Sequence, residues 1–314
     1  MPVRDADRPT IVACSGGADS SALVFALWAA CPEALTVVHV VHDLRPVEET
    51  HADRDLVREL CRYLSLPLVE ASISVRELAG NAEANARRER YAAIARVGVE
   101  RGIFTVATAH QADDQLETML MRLMRGAGPR GLAGIRAKNR VTGTAVWVVR
   151  PMLAVAREGS ERICAVAKWE WAVDRTNTDT DRTRAAIRAE VAPGLKALNP
   201  RWNERITDAS ALLRGAAESV EREARAALGA AEHHPGSYSF ERELLRGLSV
   251  SVVGEVLRGA AVGLQRGKGQ DALSAGKVLE VARAIRGKGT DPLSFDWGAI
   301  AVRVTSRTVL VAAV

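Results

Sequence analysis

Long apolar runs are missing from this 314-residue chain: no stretch approaches the length that crosses a bilayer. The opening residues, MPVRDADRPT, lack the apolar core of a signal peptide. A membrane role is therefore not expected, and a cytoplasmic location is. Paired cysteines are missing too. Cys14, Cys31, Cys61 and Cys164 stand alone, with no CxxC spacing, which argues against a zinc site, an iron–sulfur site or a secreted disulfide framework. Reduced, mostly buried thiols are the expectation. Aromatic residues make up only 4 %, and lysine is scarce: six of the 43 basic residues, the rest being arginine. A genome rich in G and C accounts for such a bias on its own. Arginine is also the side chain whose fork fits phosphate. A net charge of +5 and a pI near 9.3 suit a polyanionic partner without demanding one. There is no internal repeat and no low-complexity tract.

What is present is an alternation. Short β-rich runs at Thr10–Cys14, Leu35–Val40, Pro67–Glu70, Ile103–Ala107 and Ala145–Val149 are separated by segments whose apolar residues recur at three- and four-residue steps. Those helical segments are Ser20–Ala30, Thr50–Leu64, Asn81–Arg101 and Asp113–Arg125. The crossovers are long enough for parallel pairing, so the expected fold is α/β, a doubly wound, mostly parallel sheet of Rossmann type. After Pro193 the character changes. Asn203–Gly229 reads as one long Ala- and Arg-rich helix, broken by His233-His234-Pro235-Gly236. Helical patterns over 240–264 and 270–285 and a hairpin around Ser306-Arg307 follow. The expected division is a catalytic domain over 1–200, a linker helix over 201–230 and a small, mainly helical domain over 231–314.

The turn after the first strand carries the chemistry. IVACSGGADSS, residues 11–21, runs from a strand through a glycine pair into a helix N-terminus. Converging N–H groups and the helix dipole make such a turn an anion site, and Gly16 and Gly17 allow close approach by a phosphate. Ser15, Ser20 and Ser21 add hydroxyls. The loop matches neither GxxxxGK[ST] nor GxGxxG. Asp19 would repel phosphate unless a divalent cation sat between them. The bland alternative is ordinary strand-to-helix punctuation with a serine cap.

SGGADS resembles the SGGxDS loop of the N-type ATP pyrophosphatases, the PP-loop superfamily. Further stretches are similar, in order, to those of the tRNA(Ile)-lysidine synthetase family. They are VVHDLRPVEETHAD (40–53), NAEANARRERYAAIA (81–95), TVATAHQADDQLETMLMRLMRGAGPRGLAGI (105–135), RPML (150–153) and DRTNTDTDRTRAAIRAEVAPGL (174–195). The match runs from about residue 9 to 200 and is loose beyond. Two positions depart from the pattern: Asp43 stands where glycine is usual, and Gln111 where a second histidine is common.

The resemblance implies an adenine-nucleotide α-hydrolase-like fold and an enzyme that uses ATP and Mg2+. Its partners would be L-lysine and tRNA(Ile) with a CAU anticodon, joined at the wobble cytidine through an adenylated intermediate. The loop Ser15, Gly16, Gly17, Ala18, Asp19, Ser20 and Ser21 would grip pyrophosphate, with Asp19 placing the metal. His39 and Val40 would border the adenine. Family members are often dimers, which makes a homodimer one expectation.

Asp113 and Asp114 open a helix on the carboxyl side of a strand, where such folds bind ligands. N-terminal capping is their bland reading; the functional one pairs Asp114 with the ammonium of lysine, with His110 managing protons. Arg87, Arg90 and Tyr91 share a helical face, with Arg90 on nucleotide phosphate and a solvated face as the alternative. Arg122, Arg125 and Arg130 lie in a glycine-rich loop suited to closing over the adenylate or touching RNA. Arg182, Arg184 and Arg188 are candidates for phosphate contact. Arg266, Lys268, Arg286 and Lys288 sit in glycine-flanked turns that could meet the acceptor stem, or could be plain exposed loops. The rival within the fold is a tRNA sulfur transferase, which generally needs poised cysteines; neither Cys14 nor Cys164 is so placed.

Overall fold

The structure is a computed structural model that describes residues 8–44, 46–172, 182–264 and 274–314. The chain divides into two compact units. The first comprises residues 1–118 and 135–207, the second 119–134 and 208–314.

The first unit is built on a six-stranded sheet in the order β3-β2-β1-β4-β6-β5. These strands are β1 (Thr10–Ala13), β2 (Leu35–His42), β3 (Leu68–Ile73), β4 (Thr105–Ala107), β5 (Lys138–Arg140) and β6 (Trp147–Val149). All pair in parallel except the edge strand β5, which runs antiparallel to β6. The helices α1 (Ala18–Ala30), α2 (Val47–Leu64), α3 (Ala82–Arg101), α4 (Ala112–Met124), whose last turns count with the second unit, and α6 (Arg157–Val166) follow the strands, and α7 (Arg182–Ala186), a π-turn at Ile187–Val191 and α8 (Ala192–Leu198) close the series, while the short α5 (Pro129–Leu132) belongs to the second unit. Helices on both faces explain the unbroken apolar run of β2, whose first five residues are all buried. The two sides of the sheet have separate cores. One is built from Val12, Leu23, Val37, Leu60 and Cys164, the other from Ile11, Val38, Ile94, Val106 and Val146. Local signals set the helix ends. The Asn81 side chain accepts from Ala84 N–H at 2.9 Å to start α3, and Gly102 in the left-handed region ends it.

The second unit has its own core around Phe240, Leu257, Val281, Ile285, Ile300 and Val309. Its helices are α9 (Trp202–Gly229), which begins within the first unit, α10 (Arg242–Gly247), α11 (Val250–Leu264) and α12 (Ala275–Arg286). They accompany an antiparallel sheet ordered β7-β8-β11-β10-β9, formed by β7 (Glu232–His234), β8 (Ser237–Glu241), β9 (Leu293–Asp296), β10 (Ile300–Val304) and β11 (Thr308–Ala313). The unit is thus more than the helices and terminal hairpin read from sequence. No helix among the described residues is long and apolar enough to cross a membrane.

Candidate active site

The turn between β1 and α1 is held in shape by its own residues. Gly16 takes φ +90°, and a Cβ there would stand 3.2 Å from the Asp53 carbonyl oxygen, so a side chain is disfavoured both by conformation and by space. Ser20 Oγ accepts from Ser15 N–H at 3.1 Å and donates to the Gly17 carbonyl at 3.0 Å. Ser21 is fully buried. The Ser20 hydroxyl therefore belongs to the architecture of the loop, whereas that of Ser21 is buried without a hydrogen-bond partner among the described residues. What faces outward is Ser15, which is exposed, and the first-turn N–H groups of α1, which have no carbonyl within the helix to bind. His39 is buried on β2 and bonds the Cys14 carbonyl through Nδ1 at 2.9 Å. As the partner is a carbonyl, Nδ1 carries the proton, and burial holds the imidazole below its ordinary pKa. His39 thereby ties β2 to the loop. Val40 is half-buried, paired with Ala71 of β3.

Asp19, at the start of α1, accepts from Gln111 Nε2 at 2.9 Å through one oxygen, while its other oxygen is buried without a partner. Burial, assisted by the nearby Asp114 and Asp113 charges, pushes its carboxyl up, against the pull of the neighbouring Ser160 hydroxyl and of Arg157. Such a carboxylate oxygen fits a hard cation that also binds phosphate. Among the described residues no set of three or more His, Cys, Asp or Glu could hold a metal by itself, so any such ion would take most of its ligands from phosphate and water.

On the other side of Gln111, α4 presents three acids, Asp113, Asp114 and Glu117. The spacing i, i+3 and i+4 puts Glu117 on the face of both aspartates. Asp114 accepts from Gln111 N–H at 3.0 Å and pairs with Arg184 at 3.0 Å; burial holds its carboxyl above the usual range. Glu117, 1 % exposed, takes Arg184 Nε and Arg188 Nε, each at 2.7 Å. Asp113 accepts from Arg157 N–H at 3.0 Å and pairs with Lys196. A pocket of about 120 Å3 opens here, lined by Asp113, Glu117, Arg157, Arg188, Ala192, Pro193 and Lys196. It offers charges of both signs within one small volume.

His110 lies where the chain leaves β4, its Nδ1 3.0 Å from Thr108 Oγ1. Burial, together with the Arg150, Arg87, Arg184 and Arg90 guanidiniums, pushes its pKa down to about 3, so at neutral pH it is an uncharged imidazole. Arg150 ends β6 beside it and is 6 % exposed. It donates to the Arg136 carbonyl at 2.8 Å, Asn139 Oδ1 at 2.6 Å and Tyr91 Oη at 3.4 Å, and its Nε has no partner. The Arg87 guanidinium stacks 5.3 Å above the Tyr91 ring. Arg87 and Arg90 are exposed on α3.

Of the residues singled out from sequence, the sheet's carboxyl edge thus gathers the 15–21 loop, His110, Asp113, Asp114, Arg184, Arg188, Tyr91 and Arg87. Arg122, Arg125 and Arg130 belong to the second unit. There Arg122 donates to the Gly131 and Gly134 carbonyls, both at 2.8 Å. Arg125 is exposed, and Arg130 pairs with Glu255 at 3.2 Å and Glu221 at 3.4 Å. Arg286 and Lys288 are exposed in the same unit. The Arg182 side chain, Arg266 and Lys268 lie outside the described residues. Glu117, Arg150, Arg157 and Lys196 do not stand out in the sequence. The helical spacing from Asp113 and Asp114 signals Glu117; nothing local signals the others, which arrive by tertiary folding.

Residues 3–195 match the PP-loop domain family of ATP-binding proteins. A tRNA(Ile)-lysidine synthase of Symbiobacterium thermophilum is 40 % identical over 63 % of this chain, which spans only 41 % of that longer relative. A tRNA(Ile)-lysidine synthase of Streptomyces coelicolor is 35 % identical over 98 % of this chain and 88 % of its own length. Among solved structures, the U34-tRNA thiolase NcsA of Methanococcus maripaludis, solved with its [4Fe-4S] cluster, superposes with a TM-score of 0.54 over 68 % of this chain and 74 % of its own. At 13 % identity that likeness concerns the fold alone. With an ATP-binding PP-loop at the carboxyl edge of its sheet and a relative alike along nearly its whole length, the chain belongs to the PP-loop family and, within it, to the tRNA(Ile)-lysidine synthases.

Proposed function

We propose that the protein joins L-lysine to the wobble cytidine of tRNA(Ile) bearing a CAU anticodon, at the expense of ATP. The observation that carries this reading is the acid row Asp113, Asp114 and Glu117, linked through Gln111 to the phosphate-loop acid Asp19. Such a row suits a cationic nucleophile delivered beside an activated phosphate. In the first step the cytosine 2-keto oxygen attacks the α-phosphate and pyrophosphate leaves. In the second the lysine ε-amine attacks the activated ring carbon and AMP leaves.

The N-terminus of α1 would stabilise the charge gathering on the departing pyrophosphate. Asp19 would hold Mg2+ through its unpartnered oxygen, and that ion, when bound, offsets phosphate charge. Asp114 would take the lysine ammonium in place of Arg184 and, its carboxyl held above the usual range by burial, would accept the proton whose loss frees the amine for attack. Neutral His110 would serve as hydrogen-bond partner rather than as a charged acid. Arg87 and Arg90 would meet phosphate. Under this reading the protein works with tRNA in the cytoplasm, and its exposed Arg286 and Lys288 are candidates for contact with the acceptor stem.

Three of the four thiols support lysine over sulfur. Cys14, Cys61 and Cys164 are buried; burial pushes Cys14 up, Cys61 to about 12 and Cys164 to about 11. None is a ready thiolate. Omission assays test the proposal. Pyrophosphate should be released with ATP, Mg2+ and an unmodified CAU transcript, and AMP should follow only when lysine is added. Asp19→Ala should abolish pyrophosphate release while the fold persists. AMP release driven by a sulfur donor or ammonia in place of lysine would sink the reading.

A further inference from the structure

The reading above leaves the β5–β6 ribbon without a role, yet its surface is unusual. Residues 118–157 contain eight basic residues and no Asp or Glu. In the first unit's share of that stretch, Lys138 and Arg140 stand two apart on the edge strand and so project from one face. Both are exposed. Arg140 lies directly opposite Trp147, and Lys138 Nζ is 4.5 Å from the centre of the Trp147 ring. Trp147 is 39 % exposed, and Phe104, whose carbonyl accepts from Trp147 N–H at 2.8 Å, is 46 % exposed. Arg140 Nε bonds the Thr144 carbonyl at 2.6 Å. Among the described residues neither Lys138 nor Arg140 has a carboxylate partner.

Guarding an open sheet edge explains a lysine on β5. It does not explain an exposed indole ring set against two cations that lack acids. Cations that track phosphates, interleaved with π-faces on which bases stack, are the chemistry of a nucleic-acid surface. We propose that the β5–β6 ribbon is an RNA-contact surface of the catalytic unit. Lys138 and Arg140 meet backbone phosphates, and Trp147 offers a platform to an unstacked base or ribose. The inference rests on the reading of tRNA as the substrate.

Filter binding of an unmodified CAU transcript to the full-length protein, across a series of salt concentrations, tests it. The variants are the double substitution Lys138→Gln with Arg140→Gln and, separately, Trp147→Ala, each checked by thermal melting and by ATP binding. The double variant should bind about tenfold more weakly, and the slope of log affinity against log salt should fall by about two, near 0.9 for each phosphate no longer neutralised. Trp147→Ala should also weaken binding about tenfold while leaving the slope as in the wild type. ATP binding should be unchanged in both. If the wild type fails to bind the transcript, the functional reading falls and the ribbon with it. If the wild type binds and either variant binds equally well with the same salt slope, the ribbon proposal alone is overturned.

Discussion

Two departures from the family pattern become explicable at the scale of single residues. Asp43 caps the loop after β3, accepting from Ser74 Oγ at 2.6 Å and Val75 N–H at 2.8 Å. Gln111 puts a neutral amide on Asp19 where a histidine would bring a titrating group. Asp19 itself is ionised at a cost, because burial raises its pKa. A raised carboxyl contributes stability that is complete below its unfolded value and is lost as pH climbs through the folded one. At neutral pH, then, Asp19→Asn should raise the melting temperature of the unliganded protein, by about 2–4 °C if the relief approaches one kcal/mol, while abolishing pyrophosphate release. A fall in melting temperature would show that the carboxylate is compensated within the protein. His110 has the opposite sign: its folded pKa is depressed to about 3 from 6.5. Its contribution is complete above pH 6.5 and is lost as the pH falls toward 3. The His110 ring resonances should therefore stay at their neutral positions between pH 8 and 5, and His110→Gln should flatten the decline of stability below pH 6.5. A ring titrating near 6.5 would contradict the cationic surroundings inferred for it.

For the elements, what the sequence discloses depends on how local the signal is. β1 and β2 are apolar runs bounded by turn residues and are legible within a residue or two, as is α3 with its Asn81 cap and Gly102 stop. β5 is not, because Lys138-Asn139-Arg140 has no apolar alternation and pairs only because β6 is beside it. The sequence pattern puts Phe240 at the start of a helix; it lies instead in β8, 1 % exposed, where pairing to β11 overrides local propensity. β7, with all three residues exposed, is equally silent. In the site, the motif residues are visible and their ion-pair partners are not: Lys196 lies 83 residues from Asp113, a separation that no periodicity spans. Close packing also places a constraint that the sequence conceals. A Cβ at Gly98 in α3 would sit 2.6 Å from the Ile103 carbonyl oxygen and 3.3 Å from Val146. Gly98→Ala should therefore destabilise by about 1–3 kcal/mol despite alanine's better helix propensity, read as a lower urea midpoint at unchanged m-value. A neutral or stabilising result would mean that the helix end shifts freely.

On the scale of the whole molecule, two units with separate cores imply two linked unfolding events rather than one. Arg242 tests this. It is 5 % exposed, and its guanidinium donates to the carbonyls of Ala284, Ile285, Gly287, Gly289 and Thr305, fastening the end of α12 to the sheet of the second unit. Arg242→Met strands those carbonyls and should cost about 3 kcal/mol or more. Calorimetry should show the transition of the second unit moved down and ATP binding by the first preserved; equal loss in both would mean one cooperative block. The central claim, that the site couples an ATP-activated cytidine to lysine, is tested most directly on the RNA product. An unmodified CAU transcript incubated with the protein, ATP, Mg2+ and lysine is digested to nucleosides and weighed by mass spectrometry. The account predicts one lysine attached to the wobble cytidine, with AMP and pyrophosphate formed in equal amounts. A wobble cytidine left unmodified or carrying sulfur, or lysine on any other nucleotide, would contradict it.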